Sequence, residues 1–202
     1  MDQYQIAVVV GSLRRDSYNR QLANAVIKLA PPELSFHHLR IDDLPLYNQD
    51  DDERPAEQVK RLKGEITAAN GLLFVTPEYN RSIPGVLKNA IDHASRPYGQ
   101  NAWAGKPAGV LGASIGAPGT SMAQQHLRNM LAYLDVPALG QPEAFIYVTD
   151  GFFDESGNIA NAGSRKFLQK WMDRYVAWVK QIVQGQAYEK PVKAPQPSEA
   201  RR

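Results

Sequence analysis

The 202-residue chain contains no cysteine. That excludes disulfides, thiolate nucleophiles and cysteine-ligated zinc or iron–sulfur centres. Long hydrophobic runs are also missing. The apolar stretch behind the polar N-terminus covers only residues 6–10, too short for a signal core or a membrane span, so a cytoplasmic location without membrane insertion is expected. No run of Lys and Arg is interleaved with aromatics, and the formal net charge is only +2, which gives no nucleic-acid footprint. Metal-ligand spacing is absent too. His37 and His38 are neighbours on an expected strand and so point to opposite faces, while His93 and His126 are isolated. The acidic run Asp50-Asp51-Asp52-Glu53 reads as a solvated loop. No internal repeat is visible.

What is present is a regular alternation. With 43% hydrophobic residues, the chain is long enough for one domain with a full core. Short apolar runs predict strands over residues 6–10, 34–41, 72–75, 108–114 and 144–148. Amphipathic segments predict helices over 17–30, from Pro55 (as a first-turn proline) to Ala69, from Pro84-Gly85 to Ala94, over 120–134 and over 164–184. On the last helix Phe167, Leu168, Trp171, Met172, Tyr175, Val179 and Ile182 form one broad core-facing stripe. Strict alternation implies an α/β fold with a parallel sheet and helices on both faces. One domain over 1–184 is expected, followed by a loosely held, proline-containing tail over 185–202.

In such sheets ligands bind beyond the carboxyl ends of the strands. The unusual residues lie there. Loop one, Gly11-Ser12-Leu13-Arg14-Arg15-Asp16-Ser17-Tyr18-Asn19, follows the first strand. It has neither the G-x-G-x-x-G spacing of dinucleotide folds nor the Lys-Ser/Thr ending of a P-loop. Its hydroxyls, amide and arginine at a helix start suit a single phosphate. Loop three, residues 76–85, is polar, stiffened by Pro77 and Pro84, and able to present backbone groups to the edge of a planar heterocycle. Loop four, residues 112–121, is rich in glycine and small residues that allow close backbone approach. Either Thr120 or Ser121 can cap the following helix.

Gly112-Ala113-Ser114-Ile115-Gly116 also matches the nucleophile elbow of serine hydrolases. That reading fails on chain order, because no Asp or Glu lies between Ser114 and His126, the only later histidine.

Together, G-S-L-R-x-x-S-x-N at Gly11 to Asn19 and P-E-Y-N-x-S-x-P-G-x-L-K-N-A-I-D at Pro77 to Asp92 resemble the NADPH-dependent FMN reductases. The branch they are most similar to contains quinone and chromate reductases and some azoreductases. The resemblance covers residues 4–184. It implies a flavodoxin-like, doubly wound five-stranded sheet of order 2-1-3-4-5 and noncovalently bound FMN. By that likeness Gly11, Ser12, Arg14, Ser17 and Asn19 surround the FMN phosphate. Pro77, Glu78, Tyr79 and Asn80 border the isoalloxazine, largely through backbone groups, while Ser114 and Gly116 approach the ring and ribityl chain. The chain departs at Arg81, where relatives often carry an uncharged aromatic, which makes Arg81 a substrate-side candidate. NADPH or NADH is the implied donor, and quinones, chromate, azo compounds or flavin the implied acceptors. No side chain is assigned as acid or base. Relatives commonly form dimers or dimers of dimers, so a homodimer or homotetramer is implied. The alternative is an FMN-binding electron carrier or redox sensor without NAD(P)H turnover. Carrier flavodoxins are usually strongly acidic, and this chain is not.

Overall fold

A computed structural model describes residues 3–186, so most of the expected tail lies outside the described residues. Five strands alternate with five helices: β1 Tyr4–Val10, α1 Tyr18–Ile27, β2 Leu34–His38, α2 Glu57–Ala68, β3 Gly71–Val75, α3 Gly85–Ser95, β4 Ala108–Ser114, α4 Ser121–Tyr133, β5 Ala144–Tyr147 and α5 Ala162–Gln186. All strand pairs are parallel and the sheet order is β2-β1-β3-β4-β5, the flavodoxin-like order. Val8 lies level with His38 on one side and Leu73 on the other, and Val75 with Leu111.

The sheet divides the core into two layers, because alternate strand residues point to opposite faces. Tyr4, Ile6, Val8 and Val10 face α1 and α5, where Leu22, Val26, Trp171 and Tyr175 cover them. Ala7 and Val9 face the other layer, with Leu62, Ile66, Leu87 and Leu127 from α2, α3 and α4. Covered on both faces, β3 is buried at every residue. Tyr175 stacks on Trp171 and donates its hydroxyl to the Leu72 carbonyl at 2.8 Å, and full burial pushes its phenol well above the ordinary value.

Some local expectations are corrected. β2 stops at His38, because Leu39 and Ile41 turn into the layer of α2 and α3. Helix α1 ends at Ile27, short of Pro31, and α5 starts at Ala162. Pro55 is not the first helical residue of α2. Ala56 holds the extended cap position, and the helix begins at Glu57. Phe167 falls off the core stripe of α5 and remains exposed, whereas Leu168, Trp171, Met172, Tyr175 and Val179 are buried. Among the described residues, no helix is long and apolar enough to cross a membrane.

Candidate functional site

Sheet order reverses between β1 and β3, the place where a parallel sheet of this kind takes ligands, in a crevice beyond the carboxyl ends of its strands. Loops one, three and four meet there and are fastened to one another. A Cβ built on Gly11 would lie 3.1 Å from Thr76 Oγ1 and 3.4 Å from Pro77 Cδ, so loop one runs against loop three. A Cβ on Gly112 would lie 2.2 Å from both the Thr76 carbonyl oxygen and Thr120 Oγ1. Only a residue without a side chain lets β4 pass that close to loop three.

Loop one starts from β1 with Gly11 N–H donating to the Val75 carbonyl at 2.9 Å. Ser17 caps α1: its backbone is extended and its hydroxyl accepts from the Arg20 N–H at 3.3 Å. Ser12 and Ser17 are both buried, and Ser12 Oγ accepts from the Arg14 N–H at 3.4 Å. The first turn of α1 carries no acidic residue, so its positive end is not neutralised from within the helix.

Asn19 has a different placement from Ser12 and Ser17. Its Nδ2 donates to the Ala113 carbonyl at 2.9 Å, and its Oδ1 accepts from the Ala113 N–H at 2.8 Å. Strand β3 leaves the sheet at Val75, beyond which β4 has no strand neighbour on that side. The Asn19 amide takes the place of the missing peptide. It fastens α1 to the end of β4 rather than presenting both polar atoms to the loop.

Loop three is a short hairpin. Tyr79 and Ser82 exchange both backbone hydrogen bonds, at 2.9 and 3.0 Å. Asn80 and Arg81 form the two-residue turn between them, at φ +50° and +64°. Both central residues are left-handed, the pattern of a type I′ turn, whose usual second residue is glycine. Arg81 therefore holds a strained conformation at the exposed tip. Replacing Arg81 by Gly is expected to leave the fold at least as stable, while Arg81→Val costs about 1 kcal/mol from the left-handed backbone. Thermal unfolding of the two variants checks this.

The Glu78 side chain leaves the hairpin and caps α4. Its Oε2 accepts from the Met122 and Ala123 N–H groups at 3.0 and 3.1 Å. Thr120 occupies the cap position itself, but at φ +73° it makes no side-chain cap bond. Its buried hydroxyl instead accepts from Gln124 Nε2 at 3.0 Å. The expectation that Thr120 or Ser121 caps this helix is thus corrected, because a carboxylate from another loop has replaced the local hydroxyl. Ser82 Oγ lies 3.0 Å from His126 Nδ1, a second tie between loop three and α4.

In loop four, Ser114 Oγ accepts from the Gly116 N–H at 3.0 Å. A Cβ on Gly116 would meet nothing closer than 3.4 Å, so the protein itself does not require glycine there. Gly119 is different: at φ +59°, a Cβ would lie 2.8 Å from the Phe145 carbonyl carbon. Sequence reasoning missed a fourth segment. After β5, Thr149, Asp150 and Phe152 join Tyr18 and Ile115 around a cavity of about 190 Å³. The turn residues Thr149-Asp150-Gly151 were its available signal.

The two helix starts at this crevice differ in charge. That of α4 is satisfied by Glu78, whereas that of α1 has buried hydroxyls beside it and no carboxylate of its own. Of the two, only the α1 start is left without a capping carboxylate, the condition under which a helix start can accept an anion. Three loops also leave a large apolar side chain in solvent: Leu13 is 52% exposed, Tyr79 50% and Ile115 68%.

Comparison with known proteins gives a consistent answer. A family described as NADPH-dependent FMN reductase matches residues 4–148. A 2-hydroxy-1,4-benzoquinone reductase from Burkholderia sp. is 54% identical over 176 residues, covering 87% of this chain and 96% of that protein. A quinone reductase from Pseudomonas putida is 51% identical over 178 residues, covering 88% and 95%. Among solved structures, the flavoenzyme NAD(P)H:(acceptor) oxidoreductase of Paracoccus denitrificans superposes with a TM-score of 0.85 at 45% identity, covering 88% of this chain and 98% of that one.

Proposed function

The chain belongs to the NADPH-dependent FMN reductase family, and from that premise we propose that it reduces quinones at the crevice formed by loops one, three and four. It is an FMN-dependent oxidoreductase that draws electrons from NAD(P)H. The residues present suit the cofactor. A helix start with buried hydroxyls and no acidic residue in its first turn matches a terminal phosphate. The close contact at Gly112 locks loop three against β4, which fixes the loop-three backbone that a flat ring can lie against. Bound FMN supplies the hydride-accepting and electron-passing chemistry.

The protein's own residues bind and orient. Ser12, Ser17 and Arg14 are proposed to hold the phosphate, with Gly11 shaping the turn. Pro77, Glu78, Tyr79 and Asn80 are proposed to border the ring through their backbone, with Ser114 and Gly116 on the opposite side. Asn19 is proposed to position the phosphate loop from β4 instead of touching the phosphate. The observation that carries the choice of acceptor is the apolar rim of Leu13, Tyr79 and Ile115, which suits a flat, uncharged molecule. Arg81, at the strained hairpin tip, is proposed to act on the acceptor side. Chromate, azo compounds and free flavin belong to the same reading as further acceptors. A second copy of the chain is proposed as the partner, in a homodimer or homotetramer. Tyr133, 85% exposed beside a groove of about 430 Å³ between α3 and α4, supports a covered face. A cytoplasmic setting without nucleic acid completes the proposal.

The test is direct. Protein as purified is expected to be yellow, to release FMN on denaturation, and to oxidise NADPH in the presence of a benzoquinone. Binding of FMN without NADPH oxidation would favour the electron carrier. Arg14→Ala and Ser17→Ala are each expected to weaken FMN binding about tenfold or more, because each removes a bond to a charged phosphate, while riboflavin binding changes little. Flavin fluorescence titration measures both.

A further inference from the structure

A cavity of about 470 Å³ lies on the β2 side of loop one, away from loops three and four. Ser12 and Leu13 line it, so it is continuous with the loop proposed to hold the flavin phosphate. Its basic side chains are Arg20 on α1, and His38 and Arg40 at the end of β2. The one acidic lining residue, Asp42, is already taken by Arg40 Nε at 2.9 Å. Among the described residues Arg20 has no carboxylate partner.

Two basic groups face one cavity with no carboxylate left to balance them. Partial desolvation, then the Arg20 charge, then His37 hold the His38 imidazole below its ordinary range. A bound anion would remove that repulsion. Asn24 and Ser12 add uncharged polar groups, and the rest of the wall is apolar. Val10, Leu39 and Ile41 are buried beneath it, and Leu13 overhangs it half-exposed. An apolar wall beside an unbalanced basic pair is the chemistry of a phosphorylated heterocycle.

We propose that this cavity binds the phosphorylated adenosine end of NADPH, with Arg20 and His38 on the 2′-phosphate and the apolar wall against the base. The proposal rests on the reading of the chain as an NAD(P)H-using enzyme and gives it a donor preference. NADH lacks the 2′-phosphate and so makes no use of Arg20 and His38. The cavity thereby becomes the selector between the two donors.

The experiment uses two fragments without nicotinamide, 2′,5′-ADP and 5′-AMP, titrated calorimetrically into the protein as purified. The 2′,5′-ADP is expected to bind at least tenfold more tightly than 5′-AMP and to compete with NADPH. Arg20→Ala and His38→Asn are each expected to erase most of that difference. In steady state, Arg20→Ala is expected to raise the KM for NADPH about tenfold and that for NADH less than twofold. Equal binding of the two fragments overturns the proposal, as does an unchanged ratio of the two KM values in Arg20→Ala. Flavin content, measured separately, reports on the flavoenzyme reading. Protein that lacks FMN yet distinguishes the two fragments would sink that reading and leave the cavity's anion site standing.

Discussion

Replacing Asn19 by Ala is expected to lower the thermal unfolding midpoint by about 5–15 °C. The substitution strips both partners from the Ala113 peptide, leaving a buried donor and a buried acceptor at the end of β4 where no strand can reach them. Each orphaned group costs about 1–3 kcal/mol, so the sum is about 2–4 kcal/mol with some relaxation. Asn19→Asp is expected to be no better. It keeps an acceptor for the Ala113 N–H but sets a carboxylate against the Ala113 carbonyl. Calorimetry, with FMN and riboflavin titrations well below the midpoint, separates the positional role from phosphate contact. A variant with an unchanged midpoint that loses affinity for FMN but not for riboflavin would return Asn19 to the phosphate.

The second large effect is expected from Gly112→Ala. Thr120 can rotate its hydroxyl away from the new methyl group, but the Thr76 carbonyl, also 2.2 Å away, belongs to the backbone of loop three. Accommodating the methyl requires loop three to move off β4. A loss of about 3 kcal/mol or more is expected, together with most of the bound flavin. Gly116→Ala is the internal control, because its nearest neighbours stand at 3.4 and 3.8 Å. Unfolding midpoints and flavin content should therefore diverge sharply between the two variants. Similar values in both would refute the close-approach account of Gly112.

The two glycines show where sequence reading runs out. Gly116 stands in a recognisable motif position, yet has room around it. Gly112 sits inside a strand, and its necessity comes from Thr76 and Thr120, which lie 36 residues before and 8 after it in the chain. No local pattern carries that information. Glu78 shows the same for polar groups. A carboxylate in a loop has no sequence signature for capping a helix that begins at Ser121. The local signal there, Thr120, pointed to an ordinary hydroxyl cap. The Ser17 cap was within reach of sequence reading, because its partner lies three residues away. Asn19, two residues on in the same motif, was not, because its partner is Ala113.

The sequence by itself determined the alternation of strands and helices, the parallel sheet with helices on both faces, and which loops stand at the carboxyl ends of its strands. Periodicity and turn residues are local properties, and the loop motifs carried the family resemblance whole. Tertiary structure alone decided how those loops are held. It assigned Asn19 to the open end of β4, Glu78 to the start of α4 and Arg81 to a strained hairpin tip. It also gathered Arg20 and His38 around one cavity. Each of these depends on atoms brought together from distant parts of the chain. Packing and buried hydrogen bonding set such distances, and hydrophobic pattern leaves them open.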